Sequence, residues 1–408
     1  MQQPLLRIRE ENPLYKMIKL KGEVIMEKAN QWLEKQKQNV TDTEYDLLSR
    51  AVKTLMGNVA EGENYPWSPH RCILPAKEHF DGIWNWDSAF HAMAASRWDI
   101  QLAMDCILGF IHFQESNGMF PDVIYSNGKI VNEFSKPPVL VWAAEIVYRR
   151  SGSSEFLNTV YPIFVKNEEF WRNNRCYDGM FFYDAEYKDH KEYETHVRYE
   201  TGWDNSPRWD EPAQMQWAVD LNCYMVMFYR SMTYFAQELG LKEDAQKWAL
   251  SEKELSELIE ERLWDDDNKY YSDANKITGK NTGVLTPACF MPLFIKTASK
   301  ERAEYMNRIA SDKNKFFSGM PSVAYDNPCY STDYWRGPTW LNIAYFAAKG
   351  LKNYGFETAD RIKDTILSWC DRDKRGIFEN YNSLTGEGLY CDHFSWSSAF
   401  IIEFILNF

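Results

Sequence analysis

Residues 213–239 read AQMQWAVDLNCYMVMFYRSMTYFAQEL. Trp217, Leu221, Tyr224, Phe228, Met232 and Phe235 recur at intervals of three and four, which places them on one stripe of a helix with 3.6 residues per turn. Gly240 interrupts the stretch, and residues 242–263 resume with an amphipathic pattern. Two helices joined by so short a turn fold back as an antiparallel hairpin. The unit recurs on both sides: 13–35 with 42–56, 86–96 with 100–115, 138–150 with 154–173, and 338–349 with 357–371, before a last helix over about 397–407. Pro338 suits a first helical turn, where its missing N–H costs nothing. Alternating runs are short, and 180–183 and 269–271 read as loop hairpins. No Pro/Ser-rich linker divides the chain, so the expectation is one all-α domain over residues 1–408, built from repeated helical hairpins.

Composition narrows the function. A chain of 408 residues can bury a large core. The net charge of -13 leaves no basic footprint for nucleic acid, and an acidic surface of this kind serves solubility. No apolar run reaches the length of a membrane span, and the first residues lack a signal-peptide core. Cysteines at 72, 106, 176, 223, 289, 329, 370 and 391 form no C-x-x-C pair, so a reduced, cytoplasmic setting is expected. The chain carries 16 Trp, 24 Tyr and 24 Phe, a surplus that suits carbohydrate binding or a large aromatic helical core.

The connections 174–212, 264–290 and 312–336 are too long for plain connectors, and such loops in a compact domain are usually functional. The first holds YETGWDNSPRWD, residues 199–210. Asp204 sits there on a Gly-Trp elbow between Trp203 and Trp209, with Glu200 four residues back and Arg208 four residues on. An apolar wall raises a carboxyl pKa, as a general acid requires, and indole faces match the C–H surface of a pyranose. The same string also reads as a surface turn with a structural Asp. In HFDGIWNWDSAFH, residues 79–91, Asp87 follows Trp84 and Trp86 at a helix start, where it either caps the helix or accepts from sugar hydroxyls. In YWRGPTW, residues 334–340, Arg336 presents a donor fork to a catalytic carboxylate, to a ligand, or to a structural salt bridge. In GIFENYNSLTGEG, residues 376–388, Glu379 precedes a turn-rich loop and can activate water as a general base, while Glu387 at the tip faces solvent. His393-Phe-Ser-Trp396 opens the last helix. In a barrel of alternating inner and outer helices, loops at helix ends gather at one rim and line one pocket.

Other chemistries lack their motifs. There is no G-x-x-x-x-G-K-[ST], no strand-linked G-x-G-x-x-G, no H-E-x-x-H and no G-x-S-x-G, and the 7 His show no metal spacing. A pair of carboxylates, by contrast, is the minimum kit for glycoside hydrolysis.

These motifs, in this order over about residues 78–400, resemble the inverting six-hairpin glycosidases of glycoside hydrolase family 63 and the related trehalases of family 37. Trp84–His91 is similar to W-x-W-D-S-x-F-H. Gly118-Met-Phe-Pro-Asp with Ser135-Lys-Pro-Pro-Val-Leu140 is similar to G-x-x-P … S-Q-P-P-x-L. Glu200-Thr-Gly-Trp-Asp-Asn-Ser-Pro-Arg208 is similar to E-S-G-x-D-x-S-x-R, the Tyr334–Trp340 string to Y-W-R-G-P-x-W, and the Glu379 segment to E-x-Y-[DN] … T-G-x-G. The resemblance implies an (α/α)6 barrel, with Asp204 as general acid, Glu379 as general base and inversion at an α-anomeric carbon. It implies a carboxyl separation of about 6.5–9.5 Å, leaving room for water. It implies a sugar held by Asp87, Arg336 and the tryptophans Trp84, Trp86, Trp203, Trp335, Trp340 and Trp396. Gln114, Lys136, Glu200, Asn205, Arg208, Tyr381 and His393 complete the expected substrate-binding set.

Departures refine this. The trehalase strings E-G-G-G-G-E and Q-W-D-Y-P-N-G-W are absent, which argues against a trehalase. The size resembles the compact bacterial members acting on mannosylglycerate, glucosylglycerate or short α-glucosides, and not the large processing glucosidases with extra β domains and a membrane anchor. Lys136 replaces the Gln of S-Q-P-P; an ammonium at the pocket rim would attract an anionic aglycone such as glycerate, and a solvated loop lysine is the plain alternative. A small carbohydrate is the expected partner, and neither a cofactor nor a metal is expected; the oxygen-rich run 265–268 is read as solvent-exposed. Two other functions share the architecture. A sugar epimerase needs a His pair, and His79, His91 and His393 lie in neighbouring motifs. A non-catalytic sugar-binding protein would bind without turnover.

Overall fold

The computed structural model describes residues 26–317 and 319–408; residues 13–25 of the first expected helix lie outside them. In chain order the helices are α1 (Asp42–Gly57), α2 (Asn85–Ala95), α3 (Ile100–Ile111), α4 (Leu140–Ser151), α5 (Ser154–Asn174), α6 (Tyr193–Thr201), α7 (Val219–Glu238), α8 (Lys242–Arg262), α9 (Met291–Phe294), α10 (Lys300–Ser311), α11 (Leu341–Asn353), α12 (Thr358–Arg372) and α13 (Ser395–Leu406). Residues 26–36 are also helical.

Composition decides which helices face the centre. Every residue of α2 is buried, as are Ser395 to Phe404 of α13, and a helix apolar or small on all sides needs neighbours all round. By contrast α8 buries only Trp248, Leu255 and Ile259, a single stripe against α7 with a charged face outward. The inner helices α2, α4, α7, α9, α11 and α13 pack each on the next, and α13 returns to α2. The outer partners are α3, α5, α8, α10 and α12, with α1 behind α13. This is an (α/α)6 barrel. Its closing hairpin joins the two ends of the chain: α1 packs on α13, where sequence order had paired residues 42–56 with 13–35.

Local signals set several helix starts. Thr41 and Glu44 form a capping box on α1, and Asp99, Ser153 and Ser299 cap α3, α5 and α10. The start of α7 is different. The expected helix over 213–239 begins only at Val219, because Gln216–Trp217 pairs with Ala274–Asn275 and the Val219 N–H is capped by Asp273, 2.8 Å away. α6 fills a stretch without a clear helical stripe, and α10, not among the expected helices, buries Ala303, Met306 and Ala310 at helical spacing. Strands are two or three residues long, and they brace loops at the barrel rim. No described helix is long and apolar enough to cross a membrane.

Candidate active site

Three loop systems meet at one end of the barrel. In the first, strand Gly82–Trp84 pairs antiparallel with Val123–Tyr125, with Trp84 opposite Val123. The Asn85 N–H donates to the Asp122 carbonyl at 2.9 Å, so the first turn of α2 presents Trp86 and Asp87 beside Asp122. Asp87 lies inside this turn and the capping position is Trp84, which settles its two readings against a cap.

The second is the elbow after α6. Gly202 ends the helix at φ 74, and a Cβ there would lie 2.5 Å from the Trp86 ring, so only glycine lets the elbow approach the indole. Thr201 Oγ1 accepts the Trp203 N–H at 2.9 Å, and Asp204 follows, facing the cavity. Glu200 anchors the elbow from below. It is fully buried against Arg175 (Nε to Oε2, 3.0 Å) and accepts the N–H groups of Ser135 and Asp184 at 3.2 and 2.7 Å. Arg208 is equally buried, forked onto Asp220 at 2.7 and 2.8 Å and onto Asp273 at 2.9 and 2.8 Å.

The third system carries Glu379. It precedes the ladder of Asn380–Tyr381 with Gly388–Leu389, and Tyr381 also bridges Thr339. The Glu379 N–H donates to the Cys391 carbonyl at 2.9 Å. Tyr334 Oη donates to Oε1 at 3.0 Å, and Cys391 Sγ donates to Oε2 at 3.5 Å. Behind them Trp335 and Trp340 stack at 3.9 Å with planes 3° apart, and Trp86 meets Trp396 edge-on at 5.2 Å.

Together these form one cavity, walled by Trp84, Trp86, Trp335, Trp396, Phe80 and Phe394, with Asp87, Lys136, Asp204, Tyr334 and Glu379 as its polar groups. It opens into an outer vestibule lined by Thr195, Arg198, Tyr199, Asn205, Asp333 and Tyr390, and both Asp204 and Glu379 border that vestibule too. Aromatic rings enclose these side chains, and their burial shifts the carboxyls upward. Asp87 is pushed up to about 8, by burial and then by the charges of Asp122 and Glu379 against the opposing Lys136. Glu379 rises to about 7 from burial and Asp204, opposed by its Tyr334 and Cys391 hydrogen bonds. Asp122 rises to about 6 from burial, with Lys136 opposing. Asp204 is also raised by burial, again with Lys136 opposing. For Lys136 burial pulls the ammonium down, but Asp122, Asp204 and Asp87 outweigh it and its pKa is raised.

The structure therefore brings Trp84, Trp86, Asp87, Lys136, Asp204, Trp335, Glu379 and Trp396 to one cavity, with Asn205 in the vestibule. The other expected binding residues lie elsewhere. Gln114 clamps the carbonyls of Gly118 and Ile163 at 3.0 and 2.9 Å. Glu200 and Arg208 are spent in the buried ion pairs described above, because elements distant in sequence supply their partners. Trp203, Trp340 and Tyr381 are fully buried behind the wall, with Trp203 against Trp335 at 5.0 Å. Arg336 pairs with Asp210 outside the cavity. His393 points outward beside Asp392, its side chain 63% exposed. Lys136 is corrected in position. It lies in the inner wall, only 8% exposed, paired with Asp122 and donating to the Tyr199 carbonyl, and is neither at the rim nor solvated.

Sequence reasoning passed over Tyr334 and Asp122 although both stood inside quoted motifs. Phe80 and Phe394 also stood inside quoted stretches, 79–91 and 393–396. Arg198 had no signal, since it belongs to α6, a helix without a clear apolar stripe. The fold also gathers one group of possible metal ligands among the described residues: His190, Glu192 and His196 bring ligand atoms within 4.8 Å of one another, a proximity that spacing alone had not suggested. His190 Nδ1 already accepts the Glu192 N–H there, and the rings of His190 and His196 stack at 5.2 Å. The run 265–268 satisfies itself, with Asp265 accepting from the N–H groups of Asp267 and Asn268.

Residues 81–397 match the family model of the mannosylglycerate hydrolase MGH1-like glycoside hydrolase domain. The chain belongs to this glycoside hydrolase family. Among curated relatives, a mannosylglycerate hydrolase of Rubrobacter radiotolerans is 30% identical over 187 residues, covering 44% of this chain and 41% of that protein. A probable mannosyl-oligosaccharide glucosidase of Schizosaccharomyces pombe is 22% identical over 440 residues, covering 88% and 54%. The chain thus spans about half, or less, of the length of these relatives. The crystal structure of a family 63 mannosylglycerate hydrolase from Thermus thermophilus, in complex with Tris and D-glycerate, superposes with a TM-score of 0.73 at 22% identity, covering 87% of this chain and 99% of that one. That likeness is one of fold, and the fold of this glycoside hydrolase family is the ring described above.

Proposed function

We propose that this chain is an inverting α-glycoside hydrolase, with the six-hairpin ring as its catalytic domain and a small α-mannoside or α-glucoside of a carboxylate-bearing aglycone, such as mannosylglycerate or glucosylglycerate, as substrate. The observation that carries it is the common cavity of Asp204 and Glu379, two carboxyls raised by burial among indoles. In this reading Asp204 gives its proton to the glycosidic oxygen as the C–O bond to the anomeric carbon breaks. Glu379 takes a proton from a water whose oxygen attacks that carbon from the opposite face. One bond forms as the other breaks, and the α-glycoside leaves a β-sugar. The transition state carries positive charge at the ring, which ionised carboxylates in a dry pocket stabilise. Trp84, Trp86 and Trp396 offer faces for the sugar, and Asp87 offers its hydroxyl contacts.

The relatives' names supply the aglycone class, and Arg198 supports it: exposed in the vestibule, it pairs with no acid among the described residues and is free to meet a carboxylate. An epimerase is not favoured. No histidine lines the cavity among the described residues, and His91 is buried with Nδ1 2.9 Å from the Ile73 carbonyl, its pKa down at about 3.

The test is NMR of products from mannosylglycerate, glucosylglycerate, trehalose, kojibiose, nigerose and maltose, with Asp204→Asn and Glu379→Gln as controls. The expected result is β-sugar from an α-substrate, abolished in both variants. Release of α-sugar overturns inversion. Binding without turnover in wild type and variants alike points to a sugar-binding protein.

A further inference from the structure

The two oxygens of Glu379 are held differently from those of the other carboxyls in the cavity. Each oxygen has its own neutral donor: the Tyr334 hydroxyl at 3.0 Å on Oε1 and the Cys391 thiol at 3.5 Å on Oε2. The donors come from separate loops, and the two loops are fastened to each other as well as to the acid elbow. Tyr334 adopts φ 42, a conformation that bulky residues rarely take and that persists only where the surroundings hold it. Here its N–H donates to Tyr390 Oη at 3.1 Å, and its carbonyl accepts from Trp340 Nε1 at 3.0 Å. Asn205, next to Asp204, accepts the Trp335 N–H at 2.8 Å and donates to Asp333 at 2.8 Å, so the acid elbow also grips this loop. Cys391 is fixed through its carbonyl, which accepts the Glu379 N–H at 2.9 Å.

We propose that Tyr334 and Cys391 are positioning residues that clamp the Glu379 carboxylate, one donor per oxygen, in the orientation that receives a proton from water. The proposal rests on Glu379 acting as general base. A carboxylate on a loop can rotate about its terminal torsion, and in an aromatic cavity two weak donors decide which lone pairs face the substrate side. The thiol is suited to this task. Burial and the neighbouring Glu379 charge raise its pKa, so it stays protonated as a donor and is no nucleophile. Both donors also favour the ionised base over its protonated form. The other titratable groups bearing on Glu379 are Asp204, Asp87 and Tyr390, and Asp392 bears on the thiol.

Two measurements test the clamp. The first needs no turnover. If the thiol faces the carboxylate, Glu379→Gln removes a negative charge from its side and lowers its pKa. Iodoacetamide labelling of Cys391 at about pH 9, mapped by peptide mass, then runs about tenfold faster in Glu379→Gln, the change that one pKa unit makes in thiolate fraction. The exposed Cys329 serves as internal control. An unchanged Cys391 rate overturns the contact. The second is the pH profile of kcat/KM. Cys391→Ala and Tyr334→Phe each shift the acid limb to higher pH, because a base without its donors protonates sooner. They lower kcat about threefold and tenfold respectively, with KM little changed, while Cys391→Ser restores the donor and the limb. Limbs that superimpose on wild type overturn the proposal. If the wild type hydrolyses none of the glycosides, the proposed function fails, and the labelling result still decides whether the clamp exists.

Discussion

Nζ of Lys136 stands 3.3 Å from Oδ1 of Asp122, and the pair is buried in the inner wall of the cavity that holds Asp87 and Asp204. One ammonium thus faces three carboxyls. It opposes the upward shift of each, and their charges hold it protonated. Replacing it with Met removes the positive charge, so Asp204 keeps its proton to higher pH. The alkaline limb of kcat/KM should move upward, and Asp122, left without its partner, should make the fold less stable. Lys136→Gln should show the same shift without discriminating between charged and neutral aglycones, since the side chain is not at the rim. A pH–rate profile with both substrate types checks this.

Arg198 is the cation in the vestibule. Arg198→Ala should raise KM for mannosylglycerate or glucosylglycerate about tenfold, the worth of one charge-assisted contact, and leave a neutral α-glucoside within about twofold. Equal effects on both substrates would remove Arg198 from aglycone recognition.

In the proposed mechanism the wild-type acid limb follows from Glu379, which must be ionised to act as the base. With its pKa at about 7, kcat/KM should fall about tenfold per pH unit below neutrality. A limb near pH 4 would mean that an ordinary exposed carboxylate is the base.

Asp87 links the site to stability. Its folded pKa, about 8, lies above the ordinary 3.8, so its stability contribution is fully present below about pH 4 and is lost as pH rises through 8. Asp87→Asn removes that titration. Relative to wild type the variant should gain stability between pH 5 and 8, by at most about 1.4 kcal/mol per pH unit, while losing activity. Denaturant melts at both pH values measure the gain; a difference that does not change with pH would show the group is not shifted.

Arg208 and Arg336 separate two kinds of ion pair. Arg208→Met leaves Asp220 and Asp273 buried without their cation and should destabilise by about 3–5 kcal/mol, since breaking a buried pair strands a charge. Arg336→Ala removes a pair that solvent reaches and should cost about 1 kcal/mol or less. Urea unfolding of the two variants tests the contrast.

Much of the architecture was legible because its signals are local. The hairpin of α7 and α8 shows as a stripe and a glycine, and the fully buried α2 and α13 show as runs of small and apolar residues. The start of α7 was misread by six residues because its cap, Asp273, comes from a loop more than fifty residues later. In the site, motif residues beside Asp204 looked equivalent on paper. Glu200 and Arg208 are drawn into the core by Arg175, Asp220 and Asp273, which come from other parts of the chain, while the close approach of Gly202 to Trp86 places Asp204 at the cavity.

By itself the sequence determined the helical repeat, the family and the set of aromatic and acidic residues from which a sugar site can be made, because periodicity and short motifs are properties of neighbouring residues. Only the tertiary structure decided which of them share a cavity. Ring closure through α1 and α13 brings the loops of residues 80–87, 202–205, 334–335 and 379–396 to one end. Burial there turns some charged groups into the braces of the fold, and leaves Asp87, Asp204 and Glu379 facing one shared cavity.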